Sequence, residues 1–325
     1  VRIPLLALTL ALTGSTLAAS TATELSVGTL TLHGTLETPD FPAPWLTVLI
    51  VAGSGPTDRD GNSAGLPGAN DSLKQLAQGL AKQGIASVRY DKRGIGRSVP
   101  AVGRTLREED LVFGDFVNDA AAWIRQMQAD PRFAGVSLAG HSEGALIALA
   151  VANSTPVDAV VTLAGPGENL ANVLQRQIRA NLANPPELVA EVNRILAELR
   201  AGRRVASVSP VLAALFRPSV QPFLISAFQY DPAQLIKTVK APVLIVQGKR
   251  DLQVLPDDAR RLSAAAPQAK LLLIPGMNHV LKQVGNDLAL NQRSYGDPTV
   301  TFSPALLPAV VSFLKVSLGK KAPMP

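Results

Sequence analysis

Gly140-His141-Ser142-Glu143-Gly144 is the segment of this chain whose residue types and spacing point most directly to chemistry. A serine with glycine two positions away on either side fits a strand-to-helix turn so tight that its central residue is held in a strained backbone conformation. Such a turn tolerates no side chains at the flanking positions. The flanks agree with this reading, since Val136-Ser137-Leu138-Ala139 reads as a strand and Ala145 to Ala150 as a buried helix. Ser142 Oγ would then stand at the C-terminal edge of a sheet, backed by a helix N-terminus that favours developing negative charge. The plain alternative is a glycine-bounded turn carrying an inert serine.

A serine hydroxyl attacks a carbonyl carbon only if a neighbour takes its proton, and histidine is the usual base. The chain has three. His33 falls in an N-terminal hairpin, and His141 adjoins the serine, so its side chain must point away from it. His279, in Gly276-Met277-Asn278-His279 after the apolar run KLLLI, is left by elimination. The base in turn needs a carboxylate to fix its tautomer and stabilise the imidazolium. Asp251, in the turn after PVLIVQG, is placed for that role, while Asp257 and Asp258 are better explained as charges at the start of the next helix. Backbone N–H donors for a tetrahedral oxyanion are expected from Glu143 and from Ser54, the latter in the glycine-rich turn Gly53-Ser54-Gly55-Pro56.

These loops must be carried by a framework, and the rest of the chain supplies one. Apolar runs recur at 47–53, 86–90, 135–140, 158–165, 242–248 and 270–276, and runs such as VLIV and LLLI are apolar on both faces, as strands of a covered parallel sheet must be. Helical spacing over 72–83, 110–127, 143–153, 256–266 and 304–318 lies between or after them. An alternating segment at 24–36 predicts an N-terminal antiparallel hairpin. The fold class is therefore α/β, with a mostly parallel central sheet and helices on both faces. Residues 166–241 lack a strong strand signal but show helical periodicity at 169–184, 186–201 and 208–216, which predicts a helical cap insertion.

Composition narrows the function classes. Among 325 residues there is no cysteine, which excludes disulfides and thiol nucleophiles, and three histidines leave little material for a zinc centre. No cofactor is called for, and no metal. A net charge of +6 scattered among acidic residues, with 4% aromatic content, argues against nucleic-acid binding. Asp58, Arg59 and Asp60 are expected to pair within their loops and fix loop shape. Residues 1–19, with Arg2, an apolar stretch from Ile3 to Leu12 and small residues up to Ala18 and Ala19, have the layout of a cleavable signal peptide and predict a secreted or periplasmic protein. Residues 20–325 then form the catalytic domain, without an integral membrane span in the mature form.

With GHSEG at 140–144, GSGPTDRDGN at 53–62, RYDKRGIGRS at 89–98, the QGKRDLQV acid loop and GMNHV, the chain resembles the α/β-hydrolase superfamily, and within it the lysophospholipase-like, serine-aminopeptidase-like esterases. The resemblance runs from about residue 25 to 320, and the order Ser, Asp, His is the one that this fold uses. Ala52 stands where many relatives carry His-Gly, and the His-Gly-Gly-Pro-Gly signature of proline iminopeptidases is absent. The resemblance implies a serine hydrolase acting on carboxylic esters, and the cap, rich in Leu, Val, Ile and Ala and carrying Phe216, Phe223 and Phe228, suggests an apolar acyl or aryl pocket for a small-molecule ester. A thioesterase, an acyltransferase and an aminopeptidase on the same residues stay open, as does a non-catalytic binding protein. Oligomeric state is not legible.

Overall fold

The computed structural model describes residues 19–100, 106–181 and 183–319. The segment read as a signal peptide lies outside the described residues, apart from Ala19. Among the described residues eight strands form one sheet in the order β1-β2-β4-β3-β5-β6-β7-β8. They are β1 Ala19–Val27, β2 Leu30–Thr38, β3 Trp45–Val51, β4 Ile85–Tyr90, β5 Phe133–His141, β6 Val160–Leu163, β7 Val243–Gly248 and β8 Lys270–Ile274. β1 and β2 form the expected hairpin, longer than its alternating core, and β2 joins β4 antiparallel. From β4 to β8 every pairing is parallel, so the strands share one C-terminal edge. Each apolar run found in the sequence is one of these strands.

The period of two along β3 divides the core. Leu49 and Val51 face one buried cluster, shared with helices α2 (Phe113–Ala129) and α3 (Glu143–Ser154); Val48 and Ile50 face the other, shared with α1 (Ser72–Lys82) and the C-terminal α11 (Leu306–Leu318). Both faces are buried, which is why the run Val48 to Val51 in β3 is apolar on both sides rather than alternating.

Between β6 and β7 the chain forms α4 (Leu170–Ala180), α5 (Pro186–Arg200), α6 (Ala213–Phe216), α7 (Gln221–Ala227) and α8 (Pro232–Thr238). The helix read at 208–216 is instead a 3₁₀ turn at Pro210–Leu212 followed by the four residues of α6, because Pro210 and then Arg217-Pro218 bracket the segment too closely. This insertion has a small core of its own, built from Val192, Ile195, Leu196, Leu199, Phe216 and Leu224 among others. Polar ties hold it down. Arg217 and Ser219 bond Glu108, Phe113 N–H donates to Ser226 Oγ at 2.5 Å, and Arg176 bonds Asp258 at 2.6 Å. Asp258 belongs to α9 (Pro256–Ala265); α10 (Leu288–Arg293) follows in the long connection to α11.

Candidate active site

Ser142 sits between the end of β5 and the first residue of α3 with φ 56° and ψ −123°. That left-handed backbone costs a non-glycine residue roughly 1–3 kcal/mol and persists only where its surroundings leave no alternative. Here they leave none. A Cβ on Gly140 would run into the carbonyl of Gly144, and one on Gly144 into the carbonyls of Val51 and Ala52. The turn is therefore pressed against the end of β3, and Gly53 lies directly over it: a Cβ there would be 3.1 Å from Ser142 Cβ.

His279 and Asp251 come from the loops after β8 and β7 and meet at the same edge. His279 Nδ1 is 2.8 Å from Asp251 Oδ2, with both side chains buried. The Asp251 carboxylate is fully engaged, its Oδ1 accepting the N–H groups of Gln253 and Val254 and its Oδ2 the Gln247 amide at 2.9 Å. A carboxylate so placed fixes the proton of His279 on Nδ1 and leaves Nε2 free as an acceptor. Among the described residues no hydrogen bond joins Ser142 Oγ to the His279 ring, whose Nδ1 is bound to Asp251.

His141 ties the serine turn to the His279 loop. Its ring lies 4.9 Å from that of His279, and its Nε2 donates to the His279 backbone carbonyl at 2.7 Å. Burial, reinforced by the neighbouring His279 ring, pushes its pKa down to about 4, so it is neutral and Nδ1 is a bare, unpartnered acceptor. His33 is elsewhere, 3.0 Å from Glu24 on the β1–β2 hairpin.

A second layer went unnoticed in the sequence. Buried Asn278 donates to Asn291 Oδ1 at 2.9 Å and to Ser294 Oγ at 2.7 Å, and Asn291 donates to the carbonyl of Arg250 at 2.9 Å. These amides link the residue before Asp251 to the residue before His279. On the other side, Lys92 is buried between the carbonyl of Gly53 and the Glu143 carboxylate, the latter at 3.3 Å. Neither the Ser54 nor the Glu143 N–H has a backbone acceptor among the described residues.

The charged loops shape rather than expose. Asp91 accepts from the side chain and backbone N–H of Arg59 at 2.6 and 2.8 Å, and Arg89 bridges Asp60 and Glu37 at 2.7 and 2.9 Å. Asp58 accepts the N–H groups of Asp60 and Asn62, both at 2.9 Å. Asp258 caps its own helix through the Leu255 N–H at 2.9 Å, and Asp257 pairs with Arg260.

Residues 65–213 match the family described as "Serine aminopeptidase, S33". Esterase EstD of Thermotoga maritima is 26% identical over 263 residues, which covers 77% of this chain and 58% of that protein, so the chain spans less than two thirds of its relative's length. Among solved structures, Est1E from Butyrivibrio proteoclasticus superposes with a TM-score of 0.59 at 17% identity, covering 92% of this chain and 99% of the other. The proline iminopeptidase of Mycobacterium smegmatis does so with a TM-score of 0.58 at 17% identity, covering 93% and 100%. The parallel sheet, the glycine-locked turn after its fifth strand and these likenesses agree: the chain has the α/β-hydrolase fold.

Proposed function

We propose that the protein is a secreted serine hydrolase that cleaves carboxylic esters. Ser142 Oγ attacks the acyl carbon while His279 Nε2 takes its proton, and Asp251 holds the imidazole and stabilises its cationic form. The N–H groups of Ser54 and Glu143 receive the oxyanion. The alkoxide leaves with the proton from His279, and water resolves the acyl-enzyme by the same route. The observation that carries this reading is the buried Asp251–His279 pair at the strand edge where Ser142 is held in its left-handed turn.

An ester is preferred over an amide because the curated relative is an esterase and because the glycine-rich signature of the iminopeptidases is missing. An apolar acyl or aryl group is supported by the aromatic side chains between α2 and the cap. Phe116 and Phe223 are 5.4 Å apart, and Phe113 and Tyr230 4.7 Å. Export rests on the N-terminal layout, and no helix of the described residues is long and apolar enough to cross a membrane.

The test is a panel of p-nitrophenyl esters, thioesters and aminoacyl anilides with wild type and Ser142→Ala, alongside fluorophosphonate labelling. Ester turnover should dominate, and Ser142→Ala should lower kcat by on the order of 10³-fold or more and abolish labelling without unfolding the protein. Full activity in that variant refutes the assignment. Mass spectrometry of the exported protein should find its first residue at about position 19 or 20.

A further inference from the structure

Lys92 is nearly inaccessible, with 2% of its side chain exposed, yet it is neither a surface charge nor part of the Asp251–His279 pair. Its Nζ donates to the Gly53 carbonyl and to Glu143 Oε1 at 3.3 Å, and it lies 5.7 Å from the centre of the Phe116 ring. Burying an ammonium is expensive unless it is paired and hydrogen-bonded, so its two oxygen partners are the reason it can be there.

Those partners are significant for what they adjoin. The Gly53 carbonyl and the Ser54 N–H belong to one peptide unit, and that unit is trans, since Ala43-Pro44 is the cis bond among the described residues. In a planar trans peptide the C=O and N–H point in opposite directions. Gripping the carbonyl from the Lys92 side therefore turns the Ser54 N–H to the other side, and Gly53 itself rests against Ser142. Glu143, at the other end of the clamp, is the residue whose own N–H follows the nucleophile. One ammonium thus ties together the two backbone segments, far apart in sequence, that would have to converge on the oxyanion. We infer that Lys92 is a positioning residue for the oxyanion hole, acting through the Gly53–Ser54 peptide and the Glu143 side chain without touching substrate. The inference rests on the ester-hydrolase reading above.

In the reaction, Ser142 Oγ bonds to the carbonyl carbon, the C=O π pair moves onto oxygen, and the hydroxyl proton passes to His279. Lys92 takes no part in the proton transfer and orients the donors that meet the new charge. An aryl trifluoromethyl ketone adds to serine in the same way but stops at the tetrahedral adduct, so its affinity reports the hole directly. The deciding variant is Lys92→Met, compared with wild type on p-nitrophenyl butyrate and on the ketone. Loss of an aligned oxyanion donor typically costs about 10²–10³ in rate. The expectation is that kcat falls by about 100-fold and the ketone inhibition constant rises by a similar factor, while KM stays within about threefold and the acid limb of the pH–rate profile keeps its position. A merely structural lysine would instead move KM and the pH profile together with kcat.

A folded Lys92→Met enzyme with kcat and ketone affinity near wild type overturns the proposal alone; wild type that neither turns over the ester nor binds the ketone brings it down together with the hydrolase reading. Should Lys92→Met not fold, Glu143→Gln decides. With the anionic end of the clamp neutralised, kcat and ketone affinity should fall together by about three- to tenfold, and a change in neither refutes the inference.

Discussion

The two halves of the site are stabilised by different means. The half that carries Asp251 and His279 is built from two late loops held by neutral amides: Gln247 on the carboxylate, and Asn278 and Asn291 between the loop backbones. The half around Ser54 and Glu143 relies on glycine backbone in close approach and on one buried ion pair. On the function proposed above, the difference follows from what each half must do. A proton-transfer pair needs a fixed tautomer and fixed distances but no extra charge nearby, since a permanent cation or anion would displace the balance of imidazole and imidazolium. An oxyanion hole needs its amide dipoles aimed before the charge appears, and a cation behind the amides supports both their direction and the negative charge.

Four measurements would break or sharpen this contrast. Asp251→Asn should have the largest effect, lowering kcat by on the order of 10³–10⁴-fold with the fold intact, because the amide can hold His279 in the wrong tautomer; ester kinetics at pH 8 read this, and near-wild-type turnover would remove Asp251 from its role. Next comes Gly144→Ala. Its methyl group must displace the end of β3, so kcat/KM should fall by about 10²-fold and the melting temperature should drop, an outcome checked by calorimetry beside kinetics.

Asn291→Leu tests the amide half. It removes the tie to the Arg250 carbonyl and one partner of Asn278, so about 1–3 kcal/mol of stability should go for each polar group left bare, with kcat down about tenfold. Loss of stability without loss of kcat would mean that these amides only pack the loops.

The smallest effect concerns pH. His141 has its pKa pushed from 6.5 to about 4 by burial, so between those values the unfolded chain binds a proton that the native protein does not. Its contribution is complete above pH 6.5 and is lost as the pH falls towards 4, by up to about 3 kcal/mol. His141→Gln keeps an N–H for the His279 carbonyl and should flatten that slope in urea melts from pH 7 to 4; an unchanged slope would assign the acid sensitivity to other groups.

How far the molecule was legible in its sequence follows the same division. Strands whose residues are apolar on both faces, such as Val48 to Val51, announce a covered sheet, and Gly140 and Gly144 mark the turn between a strand and a buried helix. The meeting of Asp251 with His279 follows from their places after successive parallel strands. The roles of Gln247, Asn278, Asn291 and Lys92 left no such trace. Three of them stand inside the quoted motifs, yet nothing in the pattern says what they hold, because each role exists only once strands distant in sequence lie side by side. Short helices such as α7, α8 and α10 escaped for a related reason, since seven or fewer residues hold too few turns for a periodic pattern to stand out.

Chain order has one more consequence. The bond from His141 to the His279 carbonyl spans 138 residues, with the whole cap lying between. A polypeptide made amino end first completes the turn at Ser142 long before His279, its proposed proton acceptor, is synthesised. On the reading proposed above, the order of the chain leaves the serine without its base until synthesis is almost finished.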